Sequence, residues 1–139
     1  MLHYNLSLQT RLVSIALFSI SLTQLCYCTQ SSCEYSAGTL LMGWAGLYMG
    51  GPMLVWLANP ILFVSWVTVK RYPSASLAFS VVAALTSLSF LLFTAIYNHN
   101  DEWTSSITCY GSGYWLWLAS CWSMVTGNVI VFRRAQNFA

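Results

Sequence analysis

The chain has 139 residues, enough for one domain; 58% of them are hydrophobic, only 6% are charged, and the mean hydropathy is +0.64. Soluble domains carry roughly 25% charged residues, so this composition excludes a water-exposed globular enzyme and calls for lipid as the main covering. The net charge of +2 comes from small separate clusters, and it excludes the continuous basic surface that a nucleic acid backbone demands.

Four stretches free of charge reach or approach the roughly 18 residues needed to cross a bilayer. Their expected spans are 12–28, 52–69, 74–97 and 113–132. All the basic residues fall at three sites: Arg11, Lys70 with Arg71, and Arg133 with Arg134. The acids Glu34, Asp101 and Glu102 fall at the two intervening ones. The positive-inside rule then places both termini and the middle loop in the cytoplasm. The expected fold is therefore all-α, a four-helix transmembrane bundle with N-in and C-in topology. The first helix could be mistaken for a signal peptide; the expectation is that it is retained.

Helix one carries Ser14, Ser19 and Ser21, whose hydroxyls serve as bonds to backbone or to neighbouring helices. The second apolar stretch, from Thr39 to Val69, would be about 46 Å long as one helix, against a hydrocarbon core of about 30 Å. Gly50, Gly51 and Pro52 offer a break, because glycine weakens a helix and proline suits the first turn of the next. A short outer helix over 39–49 is expected before the span that starts at Pro52. Gly46 and Gly50 form a GxxxG pair that lets helix backbones approach. Pro60 removes one backbone bond inside the span, and the amide of Asn59 beside it is read as satisfying a freed carbonyl, bonding to another helix, or lining a pathway.

Helix three has small residues at Ser76, Ser80, Ala83, Ala84 and Ser87, the face expected to be enclosed by neighbours. Helix four opens on Tyr110, Tyr114, Trp115, Trp117 and Trp122. Trp115 and Trp117, with Trp66 at the inner side, are expected as interfacial anchors. Asn128 is expected to reach the headgroups.

The five cysteines are Cys26, Cys28, Cys33, Cys109 and Cys121. Cys33 and Cys109 fall in the two outer loops, where a disulfide would tie the loops together; Cys28–Cys109 is the alternative. Cys26-Tyr27-Cys28 is one residue short of a redox Cys-x-x-Cys motif. His99, Asp101, Glu102 and Cys109 share one outer loop, which is expected to be solvated, with no metal. None of the spans contains an acid, a base or a histidine, so proton-coupled transport and catalysis lack their usual groups.

The segment Gly43-Trp44, Gly50-Gly51-Pro52 and Trp56-Leu57-Ala58-Asn59-Pro60, with Cys33 before it and Gly113-Tyr114-Trp115-Leu116-Trp117-Leu118-Ala119-Ser120 after it, resembles a pattern in small bacterial four-span inner-membrane proteins of unknown function. That resemblance implies a bacterial inner membrane and a Cys33–Cys109 pair, and it transfers no activity. The functional expectation is a non-enzymatic protein without cofactor. It packs against a membrane partner or another copy of itself, as an accessory subunit or as an immunity protein against a membrane-acting toxin. A small oligomeric transporter or channel built on the broken second helix and a redox protein using the outer cysteines are the alternatives.

Overall fold

The structure, a computed structural model, describes residues 2–97 and 104–136. Five α-helices form there: α1 (Leu2–Leu22), α2 (Ser36–Met42), α3 (Ala58–Thr68), α4 (Pro73–Ser89) and α5 (Ser112–Gln136). Among the described residues, three stretches are long and apolar enough to cross a membrane: Gly51–Thr68, Pro73–Leu92 and Ser112–Arg134. Leu6–Leu22 is a shorter apolar helix.

The fold is not all-α. Strands β1 (Leu25–Thr29), β2 (Cys33–Tyr35), β3 (Ala95–Tyr97) and β4 (Thr104–Tyr110) form one antiparallel sheet in the order β2-β1-β4-β3. It corrects two expected spans. Residues 25–28 are strand because α1 is closed by a turn: the Thr23 amide and hydroxyl both bond Ile20 O, and the Gln24 amide bonds Ser21 O. The Tyr- and Thr-bearing segment that follows suits a pleated surface. The third helix likewise ends in a 3₁₀ turn over Phe90–Leu92, and 95–97 pair with β4. The two connections that the sequence reads as loops thus satisfy each other's backbone groups as one sheet. The pairing is invisible locally because β1 and β4 are about 80 residues apart, a non-local arrangement.

The second apolar stretch is broken at Gly50 and Gly51, whose φ values of 70° and 55° lie in the left-handed region. Instead of one short helix over 39–49, α2 leads into a 3₁₀ helix at Gly43–Met49, and a second 3₁₀ helix, Gly51–Leu57, leads into α3. The two 3₁₀ segments fold back on each other. A Cβ on Gly43 would meet the Trp56 ring, and one on Gly46 would lie 3.0 Å from Met53 Sδ. Gly46 and Gly50 do not act as a GxxxG pair: Gly50 has open space around it. The close approach uses Gly43 and Gly46, one 3₁₀ turn apart. Pro60 falls in the first turn of α3, directly after the 3₁₀ segment, and the N–H it lacks removes one backbone bond there, as expected.

Hydroxyls and amides join the helices, as expected where lipid provides no hydrophobic drive between them. Ser14 Oγ donates to Ser120 O (2.9 Å) and accepts from Trp66 Nε1 (2.9 Å), linking α1, α5 and α3. Trp66 therefore turns into the bundle, edge-on to Phe18, and is not a headgroup anchor. Asn128 is 1% exposed and does not reach the headgroups. Its Nδ2 lies 3.1 Å from Ser76 O and 3.0–3.1 Å from Ser76 Oγ and Ser80 Oγ. The Ser76 carbonyl, which can only accept, fixes which end of the amide points there. The small face of α4 is enclosed as expected, with Ser76, Ser80, Ala83, Ala84 and Ser87 all buried. Arg11 falls inside α1, in the turn between Thr10, packed on Gly127, and Ser14, bonded to Trp66. That places it level with the last turns of α3 and α5, toward the end where Lys70, Arg71, Arg133 and Arg134 lie.

Candidate functional site

The helices leave a space between them at the sheet end of the bundle. A cavity of about 80 Å³ opens beneath β1, walled by α1, α2, the second 3₁₀ segment and α5. Its lining is almost wholly apolar and aromatic, including Phe18, Met53, Val55, Trp56, Phe90 and Trp117. The aromatic wall includes Tyr114 and continues into Tyr110; both ring centroids lie within 6 Å of that of Phe90, tilted for Tyr114 and edge-on for Tyr110. The Tyr110 hydroxyl donates to Phe93 O at 3.2 Å, so the polar end of the ring is satisfied while its face stays with the apolar wall.

A few polar groups converge on this space. Asn59 sits at its floor, and both ends of its amide are engaged. Its Nδ2 donates to Trp56 O (3.0 Å), the carbonyl that the absent amide of Pro60 would have bonded in an α-helix. Its Oδ1 accepts from Trp117 Nε1 (2.9 Å). Of the roles expected for Asn59, carbonyl repair and helix-to-helix bonding are both filled. Trp117 is consequently half-buried with its N–H inside the protein and is not a headgroup anchor, whereas Trp115, 51% exposed, has the exposure an anchor requires. Trp56 Nε1 donates to Leu40 O at 2.9 Å and holds the 3₁₀ segment against α2.

Cys26 and Ser36 are the remaining polar groups of interest, and neither stood out in the sequence as a lining residue. The Ser36 hydroxyl is buried and closes no hydrogen bond of ordinary geometry. It and Thr39 approach the Cys26 thiol and lower its titration slightly, but burial dominates and pushes the thiol from 9.0 up to about 11. Burial likewise pushes Tyr27 up to about 12. A thiol held protonated at neutral pH is a weak nucleophile, so Cys26 serves as lining.

A consequence is a pH-dependent stability. The folded thiol holds its proton up to about pH 11 and the unfolded one only to about 9, so folding is favoured fully below pH 9 and loses that contribution as pH rises toward 11. The loss at full titration is about 2–3 kcal/mol. Thermal melts in detergent between pH 8 and 11 should fall for the parent and fall less for Cys26→Ala. Equal slopes would mean that the thiol is not buried.

The structure does not make the expected Cys33–Cys109 disulfide, nor Cys28–Cys109. Cys28 and Cys33 are bonded, and Cys109 is free and exposed. Cys33 and Cys109 flank Cys28 on opposite strands. They stand two strand spacings apart, roughly 9–10 Å, beyond the roughly 7 Å between Cα atoms that a disulfide spans. Among the described residues no group of His, Cys, Asp and Glu is placed to hold a metal. His99, Asp101 and Glu102 lie outside the described residues.

The arrangement defines a class: a mainly helical protein with helices long and apolar enough to cross a membrane and a small sheet capping one end. Comparisons with known protein families, with curated proteins and with solved structures find no match.

Proposed function

We propose that the chain is a four-crossing integral membrane protein that acts by binding and not by bond chemistry, as an accessory protein whose cavity of about 80 Å³ takes up the last few carbons of a lipid hydrocarbon chain. The observation that carries this is the apolar cavity beneath β1, with the bonded Asn59–Trp117 pair at its floor. Apolar walls with a few polar groups are the kind of lining a ligand site has, the volume suits a short apolar group and not a drug-sized ligand, and lipid chain ends are the most abundant such group beside a membrane helix. Leu6–Leu22 supplies the fourth crossing, since its 17 residues reach roughly 26 Å. Both termini lie on the cytoplasmic side with the basic residues, which puts the sheet outside. The bacterial inner membrane is the expected location.

The channel alternative is weakened because both ends of the Asn59 amide make internal bonds, and among the described residues no Asp, Glu, Lys, Arg or His lines the cavity. Immunity against a toxin rests on the sequence features alone.

A nitroxide-labelled stearate titrated into the full chain in detergent tests the reading. It should quench tryptophan fluorescence saturably, because Trp56 and Trp117 line the cavity. Val55→Phe, which fills the space, should abolish the saturable part while the protein still melts cooperatively. Quenching that rises without saturation, equal in both proteins, would show partitioning into detergent and sink the proposal.

A further inference from the structure

Three of the four cysteines in the sheet stand in one row. Cys28 on β1 is the register partner of Cys33 on β2 and, on its other side, of Cys109 on β4. Residues directly opposed on antiparallel strands carry their side chains on the same face, with Cβ atoms about 4.5–5.5 Å apart. That is close to the 3.5–4.5 Å of a disulfide, so Cys28 can reach either neighbour but only one at a time. The row lies on the outward face. The adjacent residues Tyr27 and Tyr110 turn inward, where both rings pack on Phe90, and Cys33 and Cys109 are exposed. Cys109 is thus a free thiol placed beside a formed disulfide, with the order attacking sulfur, central sulfur, leaving sulfur running across the strands.

We propose that this row is a thiol–disulfide exchange site in which Cys109 and Cys33 compete for Cys28. The Cys109 thiolate attacks Cys28 Sγ. The Cys28–Cys109 bond forms as the Cys28–Cys33 bond breaks, and Cys33 leaves as a thiolate that takes up a proton equal to the one Cys109 gave up. No electrons enter or leave, so no outside oxidant or reductant is needed. The thiolate is the reacting form and access controls the rate, and Cys109, unlike Cys26, is exposed to water.

The two isomers fasten different things. Cys28–Cys33 closes a loop with a sequence separation of 5 inside one connection. Cys28–Cys109 joins the connection after α1 to the one before α5, a separation of 109 − 28 = 81 residues. In the chain-entropy account the longer closure restricts the unfolded chain more. Exchange therefore switches the sheet between a cap whose β1–β4 seam is held by hydrogen bonds alone and one whose seam is covalently closed. The proposal does not depend on what occupies the cavity below.

The test uses the full chain in detergent, held at pH 8 and then acid-quenched, alkylated and cut with chymotrypsin. Cleavage after Tyr27 and Tyr35 leaves Cys28 and Cys33 in one peptide and Cys109 in another. The expected result is a mixture: a looped Cys28–Cys33 peptide with alkylated Cys109, and a reducible cross-link between the two peptides with alkylated Cys33. Raising the pH from 6 to 8 should speed the approach to that mixture, and Cys109→Ser should hold the chain in the looped form. Cys33→Ser should give the cross-link alone after mild oxidation with diamide. Either of two results overturns the proposal. One is a parent protein that stays wholly looped at pH 8 after addition of a trace of small thiol. The other is a folded Cys33→Ser protein whose Cys28 and Cys109 both remain alkylatable after oxidation.

Discussion

Replacing Gly127 by leucine will force α1 from α5 and leave little folded protein. Even one added carbon at Gly127 would meet Cγ2 and Oγ1 of Thr10, with Thr10 Cβ only 2.7 Å away. Thr10 is itself buried, and a β-branched side chain in a helix has little rotamer freedom with which to withdraw. Overpacking by a methylene or two costs about 1–3 kcal/mol; leucine adds four carbons to a site with room for none. Separation of the helices would also stretch the Ser14–Ser120 bond, which lies two turns away on the same seam. The whole stability of a domain is about 5–15 kcal/mol, so the loss is a large share of it. Gel filtration in detergent with a thermal melt should show mostly aggregated protein. Gly127→Ala should be milder, and Thr10→Ala should restore it in part, because it removes Cγ2 and Oγ1 and leaves only Cβ, at 2.7 Å, to be relieved by a small shift. If Gly127→Leu melts at the parent's temperature, the α1–α5 seam is not packed as described.

The glycines show why some of this was legible in the sequence and some was not. Gly50, Gly51 and Pro52 announced a break because their effect is local: backbone freedom and a fixed φ act whatever lies nearby. The structure places a left-handed turn there. Gly127, Gly111 and Gly113 look ordinary in sequence. Their importance comes from what approaches them, namely Thr10, Leu25 O and Ser36 Oγ, each more than 70 residues away along the chain. The same division holds for the apolar pattern. Period and length marked the apolar helices and the small face of α4, but not where they end, since the Tyr- and Thr-bearing ends became strands only by pairing across the bundle. Cys28 looked like the alternative partner because loop membership says nothing about register; in the sheet it is the central cysteine. The cavity draws its walls from six separate segments, and no window of the sequence contains it.

Gly111→Ala tests the joint that closes this cap. Gly111 lies between β4 and α5, and its amide donates to Cys26 O at 2.8 Å. A Cβ there would meet Leu25 O, with Leu25 C at 2.8 Å and Leu25 Cβ at 3.2 Å. The obstacle is backbone of β1, which is held to β2 on one side and β4 on the other, so it cannot swing aside as a flexible side chain would. The strand must shift as a unit, at a cost of about 3 kcal/mol. Because β1 roofs the cavity and carries Cys26, the shift should have a local signature as well as a global one. Cys26, shut off in the parent, should become alkylatable by a maleimide at pH 8. Gly38→Ala provides the contrast: nothing lies within 4 Å of a Cβ there, and alanine in a helix is favoured over glycine by about 0.5–1 kcal/mol. It should melt at or slightly above the parent temperature with Cys26 still protected. Were Gly111→Ala to keep both the parent's melting point and its protected thiol, the β1–α5 joint would have room to spare, and the sheet would not be a fixed roof.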